Sequence, residues 1–522
     1  MTTLWRGGRV RSPADPFATA LLTAEDTVAW VGSDQAAAAL TADRVVELED
    51  AWVAPAFVDA HVHATSTGLA LTGLDLTDAP SLAVALSRVE QAARQARGGA
   101  VLGTGWDDTR WPERRPPTAA ELDRASYGGV VYLARTDVHS AVASSALLAA
   151  APEARAQPGF LPDGLVRQAA HHTVRAAAYA AVTPAQRRAA QRVALDRAAS
   201  LGIGCVHECG GPEIAGEQDF RDLLALDHPI RVVGYWGELD GIERARALGA
   251  VGAGGDLFVD GALGSHTAGL HAPYADGEGC GALYLEPDDV ARHVAACTRA
   301  GLQAGFHAIG DAALDAVLHG VARAAQELGL APVRALRHRV EHAELLRADQ
   351  VATMATYGLV ASVQPAFDAR WGGPDGMYAE RLGPDRARSM NPFAALAAAG
   401  VALALGSDAP VTPLDPWGTL RAAVQHRTAG SGLSARAAFA AHTRGGWRAT
   451  GDDVTGELVP GAPATFAVWQ VPGELVVQTP DERVSGWSTD PRAGVAGLPD
   501  LTGPDPVCLR TVVAGHDAFV RS

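Results

Sequence analysis

The chain is predicted to be an α/β protein built on a parallel barrel, and three observations carry that expectation. Strand-like and helical runs alternate through its second half, the signature of a parallel sheet. Several apolar runs end in histidine or aspartate, as they do where parallel strands share one mouth. At 522 residues, about half apolar and a fifth charged, the chain suits a barrel with additions.

The opening segment offers short strands at 19 to 23, 27 to 31 and 45 to 48, with Gly32 and Ser33 as a turn. The run 54 to 60 then ends in His61-Val62-His63. Residues 64 to 202 exceed any ordinary barrel connection and read as an inserted substructure at about 70 to 200. It contains helical runs at 82 to 97 and 184 to 200, and a strand-like 130 to 133. Thr183 before Pro184 is a helix start, because proline needs no amide partner at the first helical position.

A strand follows at 202 to 208, ending in Glu208, and the rhythm then becomes regular. Strands are expected at 230 to 235, 256 to 260, 303 to 307, 338 to 342, 359 to 364 and 402 to 407. Helices are expected at 287 to 300, 312 to 328, 347 to 357, 415 to 427 and 434 to 442, the last with Ser434 as N-cap. After 456 to 461, strand-like runs return at 465 to 469 and 510 to 515.

The chemistry resides at the strand ends. Residues two apart on a strand face the same way, so His61 and His63 can share one metal ion. His307, His342 and Asp408 each close a later apolar run. Four histidines and an aspartate at successive strand ends of one barrel form a metal-binding constellation.

In these motifs the chain resembles the amidohydrolase superfamily, and within it amidohydrolase family 3, the YtcJ-like branch that includes N-substituted formamide deformylases. The matching stretches run in order: F-V-D-A-H-V-H (57 to 63), G-T-G-W-D-D (103 to 108), D-V-H-S-A (137 to 141), F-V-D-G-A-L-G-S-H-T-A (258 to 268), F-H-A-I-G-D-A-A (306 to 313), H-R-V-E-H-A (338 to 343), S-V-Q-P (362 to 365) and G-S-D-A-P-V (406 to 411). The resemblance implies a (β/α)8 TIM barrel at 55 to 454, with the large insertion after strand 1. It also implies a small β-sandwich formed by the terminal segments, 1 to 54 with 455 to 522.

One departure is chemical. Many relatives hold two metals with a carboxylated lysine, but this chain has no lysine, all 43 basic residues being arginine. Asp256 stands at that position, with a side chain several bonds shorter than a lysine carbamate. Glu208, ending a neighbouring strand, has the longer reach and is the candidate metal ligand, or else orients a ligand from behind.

The resemblance further implies a divalent metal, zinc foremost, as one or two ions held by His61, His63, Glu208, His307, His342 and Asp408. Asp408 would serve as base and then acid, a carboxylate moving one proton in both directions. Trp106, Asp107 and His139 lie in matching insert segments and read as pocket residues, with His139 also a catalytic donor to a substrate oxygen. Asp260 and His266 are candidate substrate contacts. His266 stands where relatives often carry arginine, which leaves the substrate's acidic or neutral character open. The expected activity is hydrolysis of a C–N bond in a non-peptide amide, N-acyl or N-formyl group. A cyclic-amidine deaminase and a silent ligand-binding barrel are the alternatives.

Charge narrows the partners. Formal net charge is −16, and no basic cluster offsets it, which argues against nucleic acid. No long apolar run suggests a membrane span, and the first residues carry no secretory pattern. Five scattered cysteines (205, 209, 280, 297, 508) suit a reducing cytoplasm, and the pair around Val206-His207-Glu208 reads as buried thiols. A small-molecule substrate is expected, and a homo-oligomer is compatible with the sequence.

Overall fold

A computed structural model describes residues 1–108, 111–135, 140–478, 487–488 and 496–522. The chain divides into two compact units, residues 1–64 with 195–522 and residues 65–194.

At the heart of the first unit eight parallel strands follow one another in chain order around a barrel. They are β1 (Phe57–Val62), β2 (Ile203–Gly210), β3 (Arg231–Trp236), β4 (Gly252–Ala253), β5 (Gln303–Ala308), β6 (Arg339–His342), β7 (Val360–Val363) and β8 (Ala402–Leu405). β1 and β8 meet just past the end of the β8 ladder, where Asp408 N–H donates to His61 O at 2.8 Å and His63 N–H to Ala409 O at 2.9 Å. Every residue of β1, β2, β5, β6 and β7 is buried, as expected of strands covered on both faces.

Surrounding helices bury one apolar stripe each. Asp311–Leu328 hides Ala313, Leu314, Val317, Val321 and Ala324, at the three-to-four-residue spacing of one helical face. The expected helix starts are present: Pro287 opens Pro287–Ala300, and Ser434 accepts from Ala437 N–H ahead of Ala435–Ala441.

β4 departs from the sequence expectation. The strand at 256 to 260 is displaced to Gly252–Ala253, and Gly254 (φ 159°) and Gly255 (φ 82°) break the extended run. A Cβ on Gly254 would lie 2.1 Å from Gly305 N, so only glycine permits this approach of β4 to β5. Beyond the break the chain rejoins β5, through His307 N–H to Leu257 O and Val259 N–H to His307 O, both at 3.0 Å. Asp256 sits in the bulge between these two attachments.

The terminal segments form a small sheet of Leu475–Gln478, Trp487–Ser488 and Leu498–Pro499 and two larger ones. One orders Thr27–Gly32, Ala20–Ala24, Thr2–Arg6 and Arg44–Glu47; the other orders Arg9–Val10, Trp52–Pro55, Phe466–Gln470, Val507–Val513 and His516–Val520. Trp5, Leu21, Val28, Val53, Phe466 and Val512 share their core. At the foot of the barrel Phe57 and Trp417 stand edge to face, 5.2 Å between centroids, and Trp469 packs against both.

The second unit, described by itself, has a five-stranded sheet ordered Leu165–Arg167, Ser140–Ala143, Val131–Arg135, Val101–Trp106 and Leu74–Asp75. Only the strand Val131–Arg135 is close to a sequence expectation. Thr183 and Gln186 cap the start of Pro184–Ser200 reciprocally, Gln186 N–H donating to Thr183 Oγ1 and Thr183 N–H to Gln186 Oε1.

Candidate metal centre

Six side chains from five strand ends meet at the C-terminal mouth of the barrel. β1 supplies His61 and His63, the β4 bulge Asp256, β5 His307, β6 His342, and the turn after β8 Asp408. Asp256 lies at their centre: its Oδ1 is 3.4 Å from His61 Nε2, 3.4 Å from His307 Nδ1 and 3.6 Å from His342 Nε2, and its Oδ2 is 3.2 Å from His63 Nε2. Asp408 Oδ1 is 3.2 Å from His63 Nε2 and 3.6 Å from His61 Nε2.

Five of the six form two triads that share the Asp256 carboxylate, and Asp408 groups with His61 and His342. His61, His63 and Asp256 can converge on one ion, and Asp256, His307 and His342 on another. The donor atoms themselves argue for cations. His61 Nε2, His307 Nδ1, Asp256 Oδ1 and Asp408 Oδ1 are all buried and make no hydrogen bond among the described residues. Such atoms normally find partners, and four orphans facing one another fit a metal that they would ligate.

Each imidazole but one is turned by a partner behind it. Glu341 Oε2 lies 3.0 Å from His61 Nδ1, Gln364 Oε1 lies 2.8 Å from His342 Nδ1, and Gly261 O lies 3.2 Å from His307 Nε2. These acceptors place the ring protons on the outer nitrogens and leave the inner lone pairs for the centre. His63 has no such partner among the described residues, and its Nδ1 is also orphaned.

Behind His61 lies a fully buried ion pair. Arg339 Nε donates to Glu341 Oε1 at 2.8 Å and Nη2 to Glu341 Oε2 at 3.0 Å. The same guanidinium reaches Ala60 O, Ser362 Oγ and His207 Nδ1, and lies 4.2 Å over the Tyr235 ring. Burial would raise the Glu341 carboxyl, but Arg339 and His61 hold it down at about 2. The acceptor behind His61 is therefore a fixed carboxylate. Sequence reasoning misses both, although the signal is there: two charges two residues apart on a buried strand face the same interior.

Electrostatics point the same way. Burial alone would depress His63, yet contacts with Asp256 and Asp408 push it up to about 10. Burial likewise works against the ionised form of Asp256, but the charge of His61 and contacts with His307, His342 and His61 hold it well below the usual range. The cluster favours positive charge at its centre. His342 (φ 70°) and Asp408 (φ 54°) also hold left-handed backbone, a strain of about 1–3 kcal/mol each that packing must sustain.

The other sequence candidates stand elsewhere. Glu208 joins neither triad: its Oε2 accepts from Ala64 N–H at 2.7 Å, and burial pushes its carboxyl up to about 7. Both oxygens of Asp260 are taken by backbone, accepting from Gly269, Ile309 and Gly310 N–H at 2.8–3.0 Å. It lies behind His307, 3.9 Å from Nε2. His266 Nε2 pairs with Asp276 at 3.0 Å. Trp106 and Asp107 belong to the second unit, where Trp106 is buried and donates to Leu133 O at 2.8 Å, and Asp107 pairs with Arg135 at 3.1 Å. His139 lies outside the described residues. All five cysteines are free, and Cys205 and Cys209 are buried, Cys209 Sγ 3.5 Å from His61 Nδ1.

Residues 44–516 match the sequence profile of the amidohydrolase family. The chain belongs to the amidohydrolase family.

This amidohydrolase is 27% identical over 417 residues to the putative amidohydrolase YtcJ of Bacillus subtilis, spanning 73% of this chain and 75% of that one. It is 25% identical over 452 residues to an N-substituted formamide deformylase of Arthrobacter pascens (79% and 81%), and 29% identical over 449 residues to protein LONG AFTER FAR-RED 3 of Arabidopsis thaliana (78% and 75%). Among solved structures, an uncharacterized metal-dependent hydrolase from Pyrococcus furiosus superposes with a TM-score of 0.75 at 26% identity, over 90% of this chain and 98% of that one. With its histidine and aspartate cluster, this amidohydrolase is a metal-dependent hydrolase, and the site fits a divalent ion. Among the described residues, no helix is long and apolar enough to cross a membrane.

Proposed function

We propose that the protein hydrolyses a C–N bond in a small non-peptide amide, N-acyl or N-formyl compound, with two divalent ions that the two triads of His61, His63, Asp256, His307 and His342 would hold. The observation that carries this reading is Asp408: its unpartnered Oδ1 faces His61 and His63 at the rim of the two triads. Divalent ions in such a site activate water and polarise a carbonyl oxygen. Asp408 takes the proton of the attacking water and delivers it to the departing nitrogen, so one group serves as base and then acid. Glu341 and Gln364 hold His61 and His342 in the tautomers that present their Nε2 atoms inward. A silent ligand-binding barrel would have no task for Asp408.

Zinc is the metal this reading favours, given four imidazoles and two carboxylates. The similarity to an N-substituted formamide deformylase supports the N-formyl class, and the five free thiols support a cytoplasmic setting. The test is a panel of N-formyl, N-acyl, cyclic amide and cyclic amidine compounds offered to zinc-loaded protein. Turnover of N-formyl or N-acyl members supports the proposal, and turnover of the amidines alone would replace it with a deaminase.

A further inference from the structure

A cleft of about 580 Å3 opens beside the cluster, bounded by residues 211–214 after β2, 237–239 after β3 and 256–258 on the broken β4, together with Tyr284, whose N–H donates to Val259 O at 2.8 Å. Asp256, only 6% exposed, forms part of its wall, so the cleft touches the centre of the site. Its other charged lining residues are Glu213 and Glu238, and no arginine or histidine lines it. Glu238 accepts from Trp236 Nε1 at 2.6 Å, and the nearest guanidinium, Arg244, stands 4.0 Å off while also engaging Glu217. Among the described residues no cation pairs with Glu213. The remaining wall is apolar and aromatic: Ile214, Leu239, Leu257, Phe258 and Tyr284.

We infer that this cleft receives the part of the substrate remote from the scissile bond, and that it selects an apolar or aromatic group that is neutral or cationic over one bearing a carboxylate. Away from Asp256, a carboxylate would meet Glu213 and Glu238, with no arginine or histidine among the lining residues, in a concave wall that weakens screening. An ammonium group would meet two acceptors. Discrimination would then come from the repulsive element as much as from the attractive one. The inference rests on the hydrolytic reading of the cluster, and its test separates the two.

The probes are N-formylbenzylamine, its 4-carboxy derivative and its 4-aminomethyl derivative, with zinc-loaded protein. The carboxylated compound is expected to show kcat/KM at least about tenfold below the other two, a gap that narrows in 0.5 M salt. Glu213→Gln with Glu238→Gln should shrink the gap to about threefold or less while metal content stays unchanged. The same trio is titrated calorimetrically into the Asp408→Asn protein, where affinity should follow the same order without turnover. Failure of all three compounds to react, with that order of affinity preserved, would refute the hydrolytic reading and leave the cleft assignment standing. Equal or better use of the carboxylated probe overturns the assignment. So does a gap untouched by the double substitution, or absence of binding by both the neutral and the cationic compound.

Discussion

The strands β4 and β6 deliver ligands to the same centre by opposite means. β6 is wholly buried and keeps its ladder up to His342 (φ 70°), and it backs its neighbours with the Arg339–Glu341 pair, whose guanidinium gathers Ala60, Ser362 and His207 and whose carboxylate meets His61. β4 keeps two residues of ladder, breaks at Gly254 and Gly255, and leaves Asp256 on a bulge at the edge of a cleft. One wall orients imidazoles, and the other carries the carboxylate that the two triads share. Bulges beside active sites commonly re-aim a side chain in this way.

The largest effect should come from chemistry that neither wall supplies. Asp408→Asn keeps the shape but removes the base, so turnover should fall by ~10²–10⁴-fold while metal stays bound. Steady-state rates alongside elemental analysis read both quantities, and near-full activity with bound metal would remove Asp408 from the mechanism.

On the β6 side, Arg339→Met strands a buried carboxylate and should cost about 3–5 kcal/mol of stability, measured by denaturant unfolding. Glu341→Gln keeps an acceptor but leaves the buried Arg339 charge unpaired, so a stability loss of the same order should accompany a ~10–100-fold drop in metal affinity. Equal affinity in Glu341→Gln would mean that β6 only fills space behind His61.

On the β4 side, Gly254→Ala must push β4 away from Gly305 and should destabilise by about 1–3 kcal/mol. Metal loss should accompany it, since Asp256 rides on the same bulge. A stable variant with full metal content would show that the bulge is incidental.

The smallest effects concern pH. Burial holds His338, just before β6, and His442, bonded to Val58 O, at about 4, against an ordinary value near 6.5. Their folded values are depressed, so the unfolded chain takes up protons first. Stability is complete above pH 6.5 and declines as pH falls towards 4, by up to about 3 kcal/mol for each residue. His338→Gln should flatten part of that decline in unfolding experiments between pH 4 and 7. An unchanged slope would discount His338 as a contributor.

The sequence made some of this legible and hid the rest for physical reasons. His61, His63, His307, His342 and Asp408 could be found because each closes an apolar run and strand periodicity sets the facing of the pair on β1. Helix starts at Pro184, Pro287 and Ser434 were readable because capping chemistry is local. Asp256 was harder to place. A strand expectation over 256 to 260 hides the bulge, since its cause is the close passage of Gly305, a contact distant in sequence. Side-chain length favoured Glu208 as the ligand, but a backbone that brings β4 inward removes the need for reach. The insert's strands at 101–106, 140–143 and 165–167 carry no clean alternation, their sheet being set by neighbours and not by pattern.

The central claim is that one aspartate on a glycine bulge joins two metal positions in a chain that cannot form a lysine carbamate. Metal content per chain tests it most directly, measured on wild-type, Asp256→Asn and Glu208→Gln proteins reconstituted with zinc, with and without bicarbonate. The account predicts about two ions in the wild type irrespective of bicarbonate, a loss of at least one in Asp256→Asn, and little change in Glu208→Gln. Full occupancy in Asp256→Asn, or halved occupancy in Glu208→Gln alone, would contradict it.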